Sequence, residues 1–132
     1  MTRPAAGVLA IAALLALALP ALGQVHPLSP DKAFLFSAKA LDAQTVEARF
    51  TIADGYYLYK DKISIETTTP DVQIGKPVLP QGKPKHDEYF GDTEVYYEVL
   101  EATLPVARAA SSATQSVHLK VTYQGCAEGG LC

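Results

Sequence analysis

Val46-Glu47-Ala48-Arg49-Phe50-Thr51-Ile52, residues 46–52, alternates without a break. Val46, Ala48, Phe50 and Ile52 fall on one face, and Glu47, Arg49 and Thr51 on the other. That period of two marks a strand with one face buried. The alternation returns at Leu100, Ala102, Leu104 and Val106. It is clearest at Val117, Leu119, Val121 and Tyr123, set against His118, Lys120 and Thr122. Between these runs, Asp54-Gly55 signals a turn, Tyr56-Tyr57-Leu58-Tyr59 forms an aromatic run, and Ile63 with Ile65 predicts a short strand before Thr67-Thr68-Thr69-Pro70. Pro105 cannot donate to a ladder, so it predicts an edge strand or a strand end. Pro70, Gly75, Pro77, Pro80, Gly82 and Pro84 punctuate the middle, and residues 70–92 read as mostly loop. No segment after Gly23 sustains a 3.6-residue apolar period. Short alternating strands between turn clusters predict an all-β chain folded as an antiparallel β-sandwich.

The N-terminus reads differently. Arg3 supplies a positive start, residues 5–19 (AAGVLAIAALLALAL) are apolar and uncharged, Pro20 breaks the run, and Ala21-Leu22-Gly23 offers small residues for cleavage. This pattern predicts a signal peptide over residues 1–23, cut after Gly23. An uncleaved anchor is the alternative, but the run falls short of the ~20 residues a spanning helix needs. Residues 24–132 then form one domain, with ten Lys and Arg against fourteen Asp and Glu once Arg3 is removed. That acidic balance, with no basic patch, excludes a nucleic-acid partner. Export implies an oxidising compartment, where a cysteine pair can be bonded.

The chain holds two cysteines, spaced Cys126-Ala127-Glu128-Gly129-Gly130-Leu131-Cys132 directly after the last strand. The two glycines let the backbone reverse, bringing the sulfurs within bonding reach. A loop this short stabilises a fold by only about 2–2.5 kcal/mol in the chain-entropy model, less than a long-range staple. Redox exchange and a plain structural bond both remain open on spacing alone. A metal site on the two thiolates is a third reading, but His26, His86 and His118 are scattered and none converges on the pair. No nucleophile motif or phosphate-binding glycine loop appears, and no cofactor is implied. Asp87-Glu88 reads from its context as part of a solvated loop. Glu128 lies inside the cysteine loop, and no Lys, Arg or His adjoins either cysteine. Like charge and partial burial then predict a Cys132 thiol at or above the ordinary pKa of about 8.5.

Tyr56, Tyr57, Tyr59, Tyr89, Phe90, Tyr96 and Tyr97 make up seven of the eleven aromatic residues. About half fit a sandwich core. Tyr89-Phe90 stands apart, because it lies in the charged stretch Lys85-His86-Asp87-Glu88-Tyr89-Phe90-Gly91-Asp92. Rings on a loop tip cover something or bind something. Gly82-Lys83-Pro84 and Gly91 suggest hinges at the two ends of that loop.

Three segments, DGYYLYKDKI (54–63), HDEYFGDTEVYY (86–97) and VTYQGCAEGGLC (121–132), resemble the periplasmic N-terminal domain of DsbD-type thiol:disulfide interchange proteins. The resemblance runs from about Leu28 to the end of the chain. It implies an immunoglobulin-like β-sandwich with Cys126 and Cys132 as the redox pair, Cys132 forming the mixed disulfides. Asp87, Glu88, Tyr89, Phe90 and Gly91 would be the cap loop, and Tyr57 and Tyr59 would line the site beneath it. The electron donor would be a thioredoxin-like domain of the same parent protein, fed by a domain in the bacterial inner membrane. The acceptors would be a periplasmic disulfide isomerase and a thioredoxin-like protein of cytochrome c maturation. Tyr-Phe stands here where the family commonly has Phe-Tyr, which leaves open which ring caps. The family also continues past the position of Cys132, so the resemblance implies that this sequence is a fragment of a longer protein.

Overall fold

A computed structural model of the chain describes residues 26–110 and 116–132. The signal-peptide reading of residues 1–23 falls outside the described residues. In chain order the strands are β1 (Phe34–Asp42), β2 (Thr45–Ile52), β3 (Tyr56–Tyr59), β4 (Ser64–Thr67), β5 (Val72–Ile74), β6 (Lys83–Asp87), β7 (Gly91–Tyr96), β8 (Val99–Arg108), β9 (Leu119–Thr122) and β10 (Gly125–Ala127). Helical structure among the described residues amounts to one turn at Pro30–Ala33 and a 3-10 turn at Lys60–Lys62.

The alternating run 46–52 becomes β2, where Ala48, Phe50 and Ile52 are buried and Arg49 and Thr51 are exposed. It pairs antiparallel with β1 on one side and β8 on the other, and β5 completes a sheet ordered β1-β2-β8-β5. A second antiparallel sheet runs β10-β3-β7-β6, and β4 with β9 forms a separate two-stranded ribbon. Phe34, Phe50, Ile52 and Leu100 of the first sheet meet Leu58 and Tyr96 of the second in one cluster, so this is the sandwich interior. Tyr123 packs edge-on against both Phe34 and Phe50, with ring centroids 5.6 and 5.2 Å apart. The ribbon covers the far end through Ile65, Leu119 and Val121, against Ala48 and Leu104. Each fully buried Leu or Phe contributes about 1.5–3 kcal/mol of burial energy. The chain is an antiparallel β-sandwich of the immunoglobulin-like kind.

Two expectations need correction. Residues 70–92 are loop over the larger part of their length, but β5, β6 and the start of β7 lie within them, and β6 pairs with β7 from Lys83↔Val95 to Asp87↔Gly91. Pro84 is compatible with that ladder because β6 is the sheet's edge. The hinge expected at Gly82-Lys83-Pro84 is therefore largely strand, and only a tight tip at Glu88-Tyr89-Phe90 separates β6 from β7. Pro105 is also not on an edge strand or at a strand end. It sits inside β8, where pairing passes from β2, which starts opposite it at Thr45, to β5, which ends at Ile74 opposite Val106. The neighbouring Thr103 sends its N–H to the Val78 side, so the donor Pro105 lacks would have faced that same irregular segment. Its carbonyl still accepts from the Gly75 N–H at 2.9 Å.

β3 carries the fold into the site. Successive side chains on a strand point to opposite faces, so Tyr56 and Leu58 turn inward to the core while Tyr57 and Tyr59 turn outward.

Candidate active site

On that outer face Tyr57, Tyr59, Val95 and Cys126 form a second buried cluster, with Tyr97 packed against it. Cys126 arrives there because β10 pairs with β3 in the register Cys126↔Tyr57, and directly opposed residues share a face. Gly125 points the other way, and a methyl group there would overlap the Phe34 ring and the Tyr57 carbonyl oxygen. Only glycine lets β10 lie this close. Beyond β10 the chain turns back through Gly129 and Gly130, both at positive φ (95° and 105°), where glycine is unstrained. The Ala127 N–H donates to the Leu131 carbonyl at 2.6 Å, and Cys126 and Cys132 are joined as a disulfide.

The two sulfurs sit in different surroundings. Cys126 is 2 % exposed, whereas Cys132 is exposed. The Tyr59 hydroxyl lies 3.1 Å from Cys126 Sγ and donates to Asp87 Oδ2 at 2.6 Å. The Tyr57 hydroxyl donates to the same oxygen at 3.0 Å. The other oxygen, Oδ1, accepts from the backbone N–H groups of Tyr89 (2.7 Å) and Phe90 (3.1 Å). Asp87 is therefore not solvated, as its sequence context suggested, but buried, with four donors on one carboxylate. Its acidic neighbour Glu88 is exposed. The hydrogen bond from Tyr59, with those from the two backbone N–H groups and Tyr57, outweighs burial and holds the Asp87 carboxyl below its ordinary pKa. Burial, with the adjacent carboxylate, pushes the Tyr59 phenol well above its ordinary value, and burial likewise raises Tyr57.

The hairpin tip lies over this group. Phe90 meets the Tyr59 ring edge-on with centroids 4.8 Å apart, and Lys62 Nζ sits 4.7 Å from the Phe90 ring centroid. The Tyr89 hydroxyl reaches across to donate to the Gly130 carbonyl at 2.9 Å. The two rings divide the work: Phe90 covers Tyr59, and Tyr89 ties the tip to the cysteine loop. Gly91 ends the tip at φ 70° and pairs with Asp87.

Three neighbours besides Glu128 were invisible to the sequence reading. Lys85 Nζ lies 4.6 Å from the Tyr57 ring centroid and 3.4 Å from Glu128 Oε2, while the Tyr97 hydroxyl donates to Glu128 Oε1 at 3.0 Å. Lys62, over the Phe90 ring, is the third. A hairpin reading of residues 83–97 would have found two of them, since Lys85 lies two residues before Asp87 on β6 and Tyr97 two beyond Val95. Among the described residues no three His, Cys, Asp or Glu side chains are arranged to hold a metal. His86 pairs instead with Asp92 at 2.7 Å in solvent.

The family model described as "Thiol:disulfide interchange protein DsbD, N-terminal" matches residues 24–132. The chain belongs to the DsbD N-terminal domain family. It is 47 % identical over 105 residues to thiol:disulfide interchange protein DsbD 1 of Pseudomonas aeruginosa, covering 80 % of this chain and 17 % of that protein. With the DsbD of Ralstonia nicotianae it shares 41 % identity over 125 residues, covering 94 % of this chain and 20 % of the relative. The chain thus spans about a fifth of the length of these curated relatives. The crystal structure of the Neisseria meningitidis DsbD N-terminal domain in the reduced form matches with a TM-score of 0.67 at 40 % identity, covering 80 % of each chain. The complex between the DsbD N-terminal and PilB N-terminal domains of the same species matches with a TM-score of 0.60 at 40 % identity, covering 80 % of this chain and 78 % of that one. DsbD-type relatives are thiol:disulfide interchange proteins by name, and this chain carries its cysteine pair as a disulfide. No helix among the described residues is long and apolar enough to cross a membrane.

Proposed function

We propose that this chain is a periplasmic thiol–disulfide exchange domain that relays electrons through Cys126 and Cys132. The observation that carries the reading is the asymmetry of the disulfide. One sulfur is buried with a tyrosine hydroxyl 3.1 Å away, and the other belongs to an exposed residue. An attacking thiolate must approach along the S–S axis, and burial closes that approach at Cys126. The attack therefore falls on Cys132, forming a mixed disulfide there and releasing Cys126 as the leaving thiolate. Tyr59 stands beside that leaving sulfur with a phenol whose raised pKa keeps its proton, so it can turn a hydrogen bond toward the new anion. The donor's second thiol then resolves the mixed disulfide. Two electrons and two protons pass to this chain, which becomes a dithiol, and the donor becomes a disulfide. The reverse sequence delivers them to the next partner.

The donor in this reading is a thioredoxin-like domain of the same parent protein, anchored in the inner membrane. The acceptors are an oxidised periplasmic disulfide isomerase and a thioredoxin-like protein of cytochrome c maturation. Support for exchange with a separate protein domain comes from the solved complex of a relative's domain with the PilB N-terminal domain. The sulfurs alone carry the redox chemistry, without a cofactor. Residues 87–91 act as a cap that shields the pair between encounters.

Trapping tests the assignment. In Cys126→Ala the remaining thiol should hold a thioredoxin-like partner as a stable mixed disulfide through Cys132, seen by non-reducing electrophoresis and peptide mapping. Trapping equal or better through Cys126 in Cys132→Ala would reverse the roles of the two sulfurs.

A further inference from the structure

Glu128 is a side chain of the cysteine loop held by two residues from elsewhere in the sheet. Its Oε1 accepts from the Tyr97 hydroxyl just past β7, and its Oε2 faces Lys85 Nζ of β6. Its own N–H donates to the Gly55 carbonyl at 2.7 Å, in the turn before β3. Three separate elements therefore hold one residue, two positions after Cys126 and four before Cys132. The two side-chain partners are themselves fixed, because Tyr97 packs against the Tyr57 ring at 5.9 Å and Lys85 Nζ lies 4.6 Å from the centroid of that same ring.

The remainder of the loop is closed by backbone bonds, from the Ala127 N–H to the Leu131 carbonyl at 2.6 Å and from the Gly130 N–H to the Ala127 carbonyl at 3.3 Å, and few side chains hold it. Gly129 and Gly130 lack side chains, and a β-carbon at either would meet nothing within 4 Å. The Tyr89–Gly130 bond belongs to the cap and goes when the cap lifts. Once the disulfide is reduced, the Glu128 anchorage is the side-chain hold that remains on the loop.

We infer that Glu128 is the positioning residue of the exchange loop, keeping the two thiols of the reduced pair close and thereby setting how easily the disulfide is reduced. The inference rests on the exchange reading above. Closure of a dithiol is intramolecular, and its equilibrium scales with the effective concentration of one thiol at the other. Freeing the loop lowers that concentration and favours the dithiol. The side chain of Glu128 is 48 % exposed and that of Lys85 is 23 % exposed. Such an ion pair is weak by itself, so the effect is set by the combined anchorage and is moderate.

The test equilibrates the full chain at pH 7 with mixtures of glutathione and glutathione disulfide, then quenches with an alkylating reagent and reads the reduced fraction by mass. One protein disulfide and two glutathione thiols give one protein dithiol and one glutathione disulfide. Glu128→Ala should raise that equilibrium constant about three- to tenfold, which is about 14–30 mV at 29.6 mV per tenfold change. Tyr97→Phe, which removes a hydroxyl and keeps the ring, should shift it the same way by less and carries the test if Glu128→Ala does not fold. Glu128→Gln, which keeps an acceptor for Tyr97, should fall between Glu128→Ala and the parent. Constants for Glu128→Ala and Tyr97→Phe at or below the parent value would overturn the positioning role. A parent disulfide that never equilibrates with glutathione would instead overturn the exchange reading itself.

Discussion

The two faces of the β10-β3-β7-β6 sheet are built from adjacent residues and could hardly differ more. Inward, Tyr56, Leu58 and Tyr96 join Phe34, Phe50 and Leu100 in an apolar core. Outward, Tyr57, Tyr59, Val95 and Cys126 pack around sulfur, with two phenols ending on the carboxylate of Asp87. The inner face has only to exclude water, and the opposite sheet does that permanently. The outer face is closed by a hairpin tip, held through ring contacts and hydrogen bonds worth about 1 kcal/mol each. A fold can thus keep its stability on one side of a sheet and a coverable reaction centre on the other.

If that division holds, the largest stability change comes from the inner face. Leu58 is fully buried, and Leu58→Ala should cost about 2–5 kcal/mol in denaturant unfolding. Its effect on the alkylation rate of the reduced pair under native conditions should be small. A large rate increase without loss of stability would blur the two faces into one.

Asp87→Asn should come next. It weakens the acceptor for four donors, and leaving such groups poorly paired costs about 1–3 kcal/mol. The same carboxylate gives a pH signature. Its pKa is lowered in the folded chain, so its contribution is complete above the ordinary carboxylate value of about 3.9 and is lost as pH falls through the lowered value. The parent should lose stability more steeply than Asp87→Asn in acid titration, and parallel curves would remove Asp87 from the account.

The cap alone should matter less for stability and more for access. An edge-to-face ring pair is worth about 0.5–1.5 kcal/mol, so Phe90→Ala should speed alkylation of the reduced pair by up to about tenfold. Tyr89→Phe deletes only the hydroxyl bond to Gly130 and should give a smaller increase. The reverse order would make Tyr89 the main cover. The smallest effect belongs to neither face of this sheet. Arg49 and Glu101 form an exposed pair at 2.6 Å between β2 and β8. Glu101→Gln should change stability by less than about 0.5 kcal/mol and leave thiol reactivity unaltered.

What could be read from the chain alone follows the range of the signals. Strand identity is local: alternation at residues 46–52, 100–106 and 117–123 identifies β2, β8 and β9 because a half-buried strand imposes its period on neighbouring residues. The disulfide partner was equally local, six positions away across two glycines. Residues 83–92 misled because Pro and charge suit an edge strand as well as a loop, and only pairing with β7 tells them apart. Two of the donors to Asp87 are local, the backbone N–H groups of Tyr89 and Phe90, but its burial had no local signal, since the two phenols that bury it come from β3, thirty and twenty-eight positions earlier. The approach of Lys62 to Phe90, and of Lys85 and Tyr97 to Glu128, depends in the same way on hairpin register and on which strands the sheet places side by side. Side-chain period can be read along one strand, but a charge and its partner on different strands become neighbours only when the sheet is assembled.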